Sequence, residues 1–298
     1  MNNRNIAASI RQRLLEQARQ SNRPFQELLQ YYAMERFLYR LSQSQHSDRF
    51  ILKGALMLRI WHASQSRPTR DIDMLGITNN SPEAISAQIL EILATDVTDD
   101  GLIFNADQLS TEIITEDADY QGVRVRFSGL LQTAQMPMQL DIGFGDALVP
   151  GANRAEYPTL LDLPAPSLLC YSRESVVAEK FQAMVMLGDI NSRMKDFYDI
   201  WLLARQFEFD GSILQQAIQQ TFNHRSTELP DSLPFRDEFI AAKQSQWQAF
   251  RRRLGDSNVP EDFAAVCQVL TFYLQPFLIA PEIVQNQIWQ PGGTWSSG

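Results

Sequence analysis

Cysteine is scarce in this chain: two in 298 residues, Cys170 and Cys267, far apart and with no histidine or cysteine at metal-ligand spacing. That leaves nothing for a thiolate metal site, and both are expected to be buried thiols in a reducing compartment. Long apolar runs are also missing. No stretch approaches the roughly 20 residues of a membrane helix, and residues 1–20 carry arginines without the apolar core or cleavage site of a secretory leader. The expected location is cytoplasmic, with no membrane partner. No internal repeat is found. With 44% hydrophobic and 20% charged residues the composition is that of a globular protein with room for one large domain or two.

The third absence is local. Residues 71–120 contain no lysine or arginine against 12 acidic residues, whereas residues 1–70 hold 12 basic against 4 acidic and the remainder 14 against 19. The net charge of −9 is therefore segregated along the chain. Arg4, Arg11, Arg13, Arg19, Arg23, Arg36, Arg40 and Arg49 are expected either to be solvated helix residues or to form a basic surface able to meet a polyanion.

Helical periodicity covers 6–20 and 24–42 (Leu28, Leu29, Tyr32, Phe37, Leu38, Leu41), with Pro24 placed as a first-turn residue. A strand, glycine turn and helix follow over 50–63, then a strand over 70–76 and a helix opened by Ser81 as cap and Pro82 at its first position. Strand patterns cover 102–104, 110–115, 122–128 and 138–144, and the sheet is expected to be mixed with several antiparallel neighbours. The proline-rich connection from Pro150 to Pro166 is the candidate boundary. Beyond it, helices are expected at 173–188, 193–207, 211–222, 235–253 and 260–278. The fold class is α+β: residues 1–150 form N-terminal helices and a mixed-sheet core, 151–280 a helical domain, and 281–298 a flexible tail.

The chemistry concentrates in Pro68-Thr69-Arg70-Asp71-Ile72-Asp73-Met74-Leu75. Alternate strand residues share a face, so Asp71 and Asp73 offer adjacent carboxylates while Ile72 and Met74 enter the core. Carboxylates so close repel, and a divalent cation relieves the repulsion. An Asp-x-Asp pair alone is common, but two further features accompany it. In Phe50-Ile51-Leu52-Lys53-Gly54-Ala55-Leu56-Met57-Leu58 a glycine turn leads into a helix whose first N–H groups are available to a phosphate. In Met138-Gln139-Leu140-Asp141-Ile142, Asp141 emerges on the face opposite its apolar neighbours. Together these form the pattern of a two-metal phosphoryl-transfer site of the polymerase-β nucleotidyltransferase kind; the alternative is three solvated strand-edge acids. Arg124 and Arg126 alternate with Val123, Val125 and Phe127, and are phosphate or nucleic-acid contacts if they share Asp141's face, or edge-strand charges otherwise.

Two more motifs lie in the helical half. Lys180 flanks an apolar stripe of Val177, Phe181 and Met184, where it can bury its stem and present its amine at a cleft. In Arg193-Met194-Lys195-Asp196-Phe197-Tyr198-Asp199-Ile200-Trp201, Asp196 and Asp199 neighbour one another on a helix, and Lys195 pairs across one turn with Asp199 or serves the site.

Taken in order, Lys53-Gly54-Ala55, Arg67-Pro68-Thr69-Arg70-Asp71-Ile72-Asp73, Val177-Ala178-Glu179-Lys180 and Arg193-Met194-Lys195-Asp196-Phe197-Tyr198-Asp199 make residues 48–205 resemble the AbiEii/AbiGii toxin family of nucleotidyltransferases. Its members are toxins of bacterial toxin–antitoxin and abortive-infection pairs, with MenT-like relatives that add nucleotides to tRNA 3′ ends. The resemblance implies Mg²⁺, or Mn²⁺, on Asp71 and Asp73, with Asp141 completing the metal shell or acting as base. It also implies attack by an RNA 3′-hydroxyl, tRNA foremost, on the α-phosphate of a nucleoside triphosphate. Lys180 is then expected to clamp the triphosphate, with Lys53, Gly54, Ala55, Arg67, Thr69 and Lys195 at the nucleotide and Asp196 and Asp199 shaping the pocket. Many members have Gly-Gly or Gly-Ser where this chain has Gly54-Ala55, so that phosphate contact falls to backbone N–H groups. A cognate antitoxin is the implied protein partner. Two other functions fit the same residues: a nucleotide-binding module with little turnover, and a transferase acting on a protein or small molecule.

Overall fold

The computed structural model describes residues 3–64, 67–117, 120–256 and 258–297; Gly298 of the expected tail falls outside them, as does the side chain of Arg4. The chain divides into two compact units. The first holds Met1–His62, Pro68–Gly145 and Asn153–Cys170, the second Ala63–Arg67, Asp146–Ala152 and Tyr171–Gly298. The boundary expected near residue 150 is thus displaced, because residues 153–170 complete the sheet of the first unit.

The first unit opens with α1 (Asn3–Ser21) and α2 (Phe25–Gln43). Helix α2 is buried nearly all round, including Tyr32, Phe37 and Leu38, as a helix apolar on more than one face must be. Phe37 packs against Phe104 and Phe127 at centroid distances of 6.3 and 5.6 Å. Next come β1 (Phe50–Lys53), a 3₁₀ turn over Gly54–Leu56, α3 (Met57–Ile60), β2 (Ile72–Gly76) and α4 (Pro82–Leu93). The helix expected after Gly54 is therefore one tight turn followed by four α-helical residues. At α4 the Ser81 hydroxyl accepts from the Ala84 N–H with Pro82 in the first turn, the expected capping.

Strands β3 (Leu102–Asp117), β4 (Tyr120–Leu131) and β5 (Ala134–Phe144) form a meander. The two strands expected at 102–104 and 110–115 are one strand with a register shift between Asn105 and Ser110. The stretch Ala106–Gln108, exposed at all three residues, breaks the alternation that marks a strand. Strand β6 (Asn153–Glu156) comes from the segment expected to be a linker, and β7 (Ser167–Cys170) follows directly after it. The seven-stranded order is β3-β4-β5-β2-β1-β7-β6, with β2–β5 and β1–β7 parallel and the other pairs antiparallel. This is the mixed sheet expected, with β2 in its interior.

The second unit contains α5 (Arg173–Leu187), α6 (Met194–Gln206), β8 (Phe209–Asp210), α7 (Gly211–His224), α8 (Asp237–Leu254), α9 (Phe263–Leu274), α10 (Pro276–Ile279), α11 (Pro281–Val284), β9 (Gln287–Gln290) and β10 (Thr294–Ser297). Its core is aromatic: Phe197, Phe239, Trp247 and Phe263 are buried, with Phe263 5.2 Å from Phe197 and 5.5 Å from Trp247. The single helix expected over 260–278 is divided at Pro276, which has no N–H to continue the ladder. Of residues 281–298, expected to be a flexible tail, the described ones instead carry α11 and the β9–β10 hairpin, which joins β8 in a three-stranded sheet. The cause is Trp289: it is fully buried, its indole N–H donates to the Ala204 carbonyl at 2.6 Å, and its ring lies 4.8 Å from Tyr273. Among the described residues no helix is long and apolar enough to cross a membrane.

Candidate active site

Five strands of the first unit carry a row of charges in one register. Glu112 on β3 opposes Arg124 on β4, Arg124 opposes Asp141 on β5, Asp141 opposes Asp73 on β2, and Asp73 opposes Lys53 on β1. Directly opposed residues share a face, so these side chains stand side by side across the sheet. On the other face Ile72, Met74, Val123, Val125, Leu140 and Ile142 are each no more than 2% exposed, as the alternation predicts.

Asp71 lies just before β2 and joins the row. Carboxylate oxygens of Asp71, Asp73 and Asp141 lie within 4.8 Å of one another, the expected trio. Asp71 and Asp73 are half-buried and Asp141 is buried. The donor set is oxygen alone, which suits a hard divalent ion such as Mg²⁺ or Mn²⁺. The backbone makes room for the Asp73 carboxylate: Gly54 adopts φ +73°, and a β-carbon there would lie 1.9 Å from Oδ2 of Asp73. The glycine of the expected phosphate turn is thus required by a carboxylate. Ala55 beside it is buried, and Lys53 is only 7% exposed.

The Thr69 hydroxyl hydrogen-bonds Oδ1 of Asp71, and its N–H donates to the Tyr31 hydroxyl at 3.2 Å. Thr69 therefore orders the approach to the carboxylate. Tyr31 is held in turn by Arg59 and Arg23, 4.6 and 5.1 Å from its ring; helical spacing marks it only as a core residue. Arg124 and Arg126 share Asp141's face, as the strand pattern allowed. Arg124 forks onto Asp141, and Arg126 lies 2.8 Å from Glu112. The hydrogen bond to Asp141 is the main reason the Arg124 pKa is raised.

The other expected site residues gather in the second unit. Lys180 Nζ is 2.7 Å from Oδ1 of Asp196 and 2.9 Å from Oδ2 of Asp199. Arg67 forks onto Asp199 at 2.9 and 3.0 Å, and Arg193 Nε makes an ion contact with Asp196 at 2.6 Å. Burial disfavours the charged amine of Lys180, but the two carboxylates outweigh it and raise its pKa. Burial likewise opposes ionisation of Asp196 and Asp199. Lys180 and Arg193 for the first, and Arg67 and Lys180 for the second, nevertheless lower both pKa values. Lys180, Arg67 and Arg193 thus surround the two carboxylates. Lys195 is exposed on α6 and takes no part in these pairs. Arg193 lies three residues before Asp196, a spacing that by itself brings the two side chains together.

The basic N-terminal surface does not form as an uninterrupted patch. Arg36 is buried beside Glu35 and donates to the Pro164 carbonyl, and Arg40 is buried on Asp100 at 2.7 Å. Both arginines hold the first unit together.

No curated protein matches this chain. Two solved structures from Helicobacter pylori are similar to it, each with a TM-score of 0.47 and 13% identity over 87% of this chain. One is JHP933, of which 92% is covered, and the other a candidate nucleotidyltransferase, of which 95% is covered. The family model described as the AbiEii nucleotidyl transferase toxin of type IV toxin–antitoxin systems matches residues 36–269. That span takes in the glycine turn, the three aspartates and the Lys180 cluster, and the chain belongs to the AbiEii nucleotidyltransferase toxin family.

Proposed function

We propose that this protein transfers a nucleoside monophosphate from a nucleoside triphosphate to an RNA 3′-hydroxyl, tRNA foremost, in a Mg²⁺-dependent reaction, and that a cognate antitoxin restrains it. The observation that carries this reading is the convergence of Asp71, Asp73 and Asp141 within 4.8 Å, with Gly54 packed against Asp73. Asp71, Asp73 and Asp141 would hold the cation. When bound, it neutralises triphosphate charge and lowers the pKa of the attacking hydroxyl. Thr69 orients Asp71 through its hydroxyl. Lys180, Arg67 and Arg193 are the cationic side chains of the second unit's cluster, and Lys180 is assigned to the triphosphate by its match to the family's helical lysine. Lys195, exposed and outside the ion pairs, is assigned to the nucleotide phosphates or the acceptor RNA.

A second reading, nucleotide binding with little turnover, is favoured by Asp141, both of whose oxygens are engaged by Arg124. One experiment separates the two. Purified protein is incubated with each labelled triphosphate, Mg²⁺ and total tRNA, protein extract or small-molecule acceptors. Label in tRNA that disappears with Asp73→Asn supports the transferase. Triphosphate binding without incorporation supports the second reading. Incorporation unaffected by Asp71→Asn or Asp73→Asn overturns the metal assignment.

A further inference from the structure

Arg124 and Asp141 are register partners on β4 and β5. The guanidinium takes both oxygens of the carboxylate, Nε to Oδ1 at 2.6 Å and Nη2 to Oδ2 at 2.8 Å, and Gln139 Nε2 donates to Oδ2 at 3.2 Å. Such a planar fork occupies the in-plane lone pairs that a metal ion also uses. With Gln139 on a third of the roughly four lone-pair sites of the carboxylate, a cation recruiting Asp141 competes directly with Arg124 for it. The guanidinium has somewhere to go: Glu112, its partner on β3, is half exposed, and its Oε1 lies 3.7 Å from Nη1 of Arg124. With Arg124 in place, a positive charge already neutralises the third carboxylate, and a second divalent ion gains little there.

Resting on the reading of the three aspartates as a cation site, we infer that Arg124 is a positioning residue that withholds Asp141 from the metal. In the nucleotide-free protein Asp71 and Asp73 take a first divalent ion while Arg124 keeps Asp141. Asp141 becomes a ligand only once the guanidinium has left it. The guanidinium would thus hold Asp141 until then, and the full set of carboxylates would assemble late.

The test is Mn²⁺ binding by the full chain without nucleotide, read as stoichiometry and affinity by calorimetry and by the loss of free-ion paramagnetic resonance signal. Wild type is expected to bind one ion. Arg124→Gln is expected to bind a second, or to hold the first about tenfold more tightly, and Asp141→Asn added to that variant should remove the gain. Circular dichroism checks that each variant is folded. If Arg124→Gln is not, Arg124→Lys, which keeps the charge but cannot fork, should show a smaller gain in the same direction. Two ions on wild type, no change on replacing Arg124, or a gain that survives Asp141→Asn undiminished would each overturn the inference. Asp73→Asn tests the underlying reading separately: if it binds Mn²⁺ as wild type does, the cation site itself is wrongly placed.

Discussion

Gly54 and Asp73 occupy the same space: a β-carbon on the glycine would lie 1.9 Å from the aspartate's Oδ2 and 2.7 Å from its own β-carbon. The glycine also adopts φ +73°, where an L side chain is strained. Gly54→Ala should therefore push Asp73 out of line without emptying the core. The expected outcome is a loss of nucleotide transfer of about a hundredfold or more, the scale of a misplacement near 1 Å. Thermal unfolding should show a cost of only about 1–3 kcal/mol. Wild-type transfer by the folded variant would show that Asp73's position is not critical.

The Trp289 hairpin gives a second prediction. The indole is fully buried, meets the Tyr273 ring edge to face and satisfies the Ala204 carbonyl. Trp289→Ala should cost about 3–5 kcal/mol, the range for emptying a large aromatic site. Chemical denaturation measures it, and a cost under about 1 kcal/mol would mean that the hairpin is dispensable.

What was legible in the sequence followed from periodicity. Asp71, Asp73 and Asp141 were found because strand alternation separates them from Ile72, Met74, Leu140 and Ile142, and those apolar residues are buried as alternation requires. Ser81 and Pro82 mark a helix start by local chemistry alone. Pairings that depend on register were not legible. Arg124 meets Asp141 from 17 residues away and Arg67 meets Asp199 from 132, and neither distance leaves a local pattern. Strand β7 is four residues long beside a proline-rich run, so it has too few alternations to declare itself. The β9–β10 hairpin was hidden by glycines that read as a loose end; their positive φ, +112° at Gly292 and +116° at Gly293, belongs instead to a tight turn.

The Lys180 cluster predicts both a mutational cost and a pH range. Asp196 and Asp199 are no more than 2% exposed, and Lys180→Met would strand part of their charge, costing about 3–5 kcal/mol. Both carboxyls ionise at lower pH folded than unfolded, so the folded chain binds fewer protons in acid. Their contribution is present above the ordinary value of 3.8 and lost as the pH falls through the folded values. Lys180 titrates higher when folded, so its contribution holds below 10.5 and is lost only as the pH rises through its folded value. The pairing should add no slope near neutrality. Unfolding free energies of wild type and Lys180→Met should differ by a constant amount there and converge in acid; divergence in acid would contradict the assignment.

Glu35 has the opposite sign. It is fully buried on α2, accepts from the Leu160 N–H at 2.6 Å and lies 2.9 Å from Arg36. Burial outweighs the arginine and pushes the carboxyl from 4.5 up to about 7. The folded chain therefore holds a proton that the unfolded chain releases between those values. Stability from this group is full below pH 4.5 and declines as the pH rises to about 7, by on the order of 3 kcal/mol. Glu35→Gln keeps an oxygen for Leu160 and leaves Arg36 its bond to the Pro164 carbonyl. The attraction of Arg36 for the ionised carboxylate is already contained in the folded value of about 7, so replacing Glu35 removes the whole pH-dependent contribution. The difference between variant and wild type must then shift toward the variant as the pH climbs from about 4.5 to 7, whichever is the more stable at the start. Denaturation curves collected across that range measure the shift directly, and parallel pH profiles would show that Glu35 enters the fold already ionised.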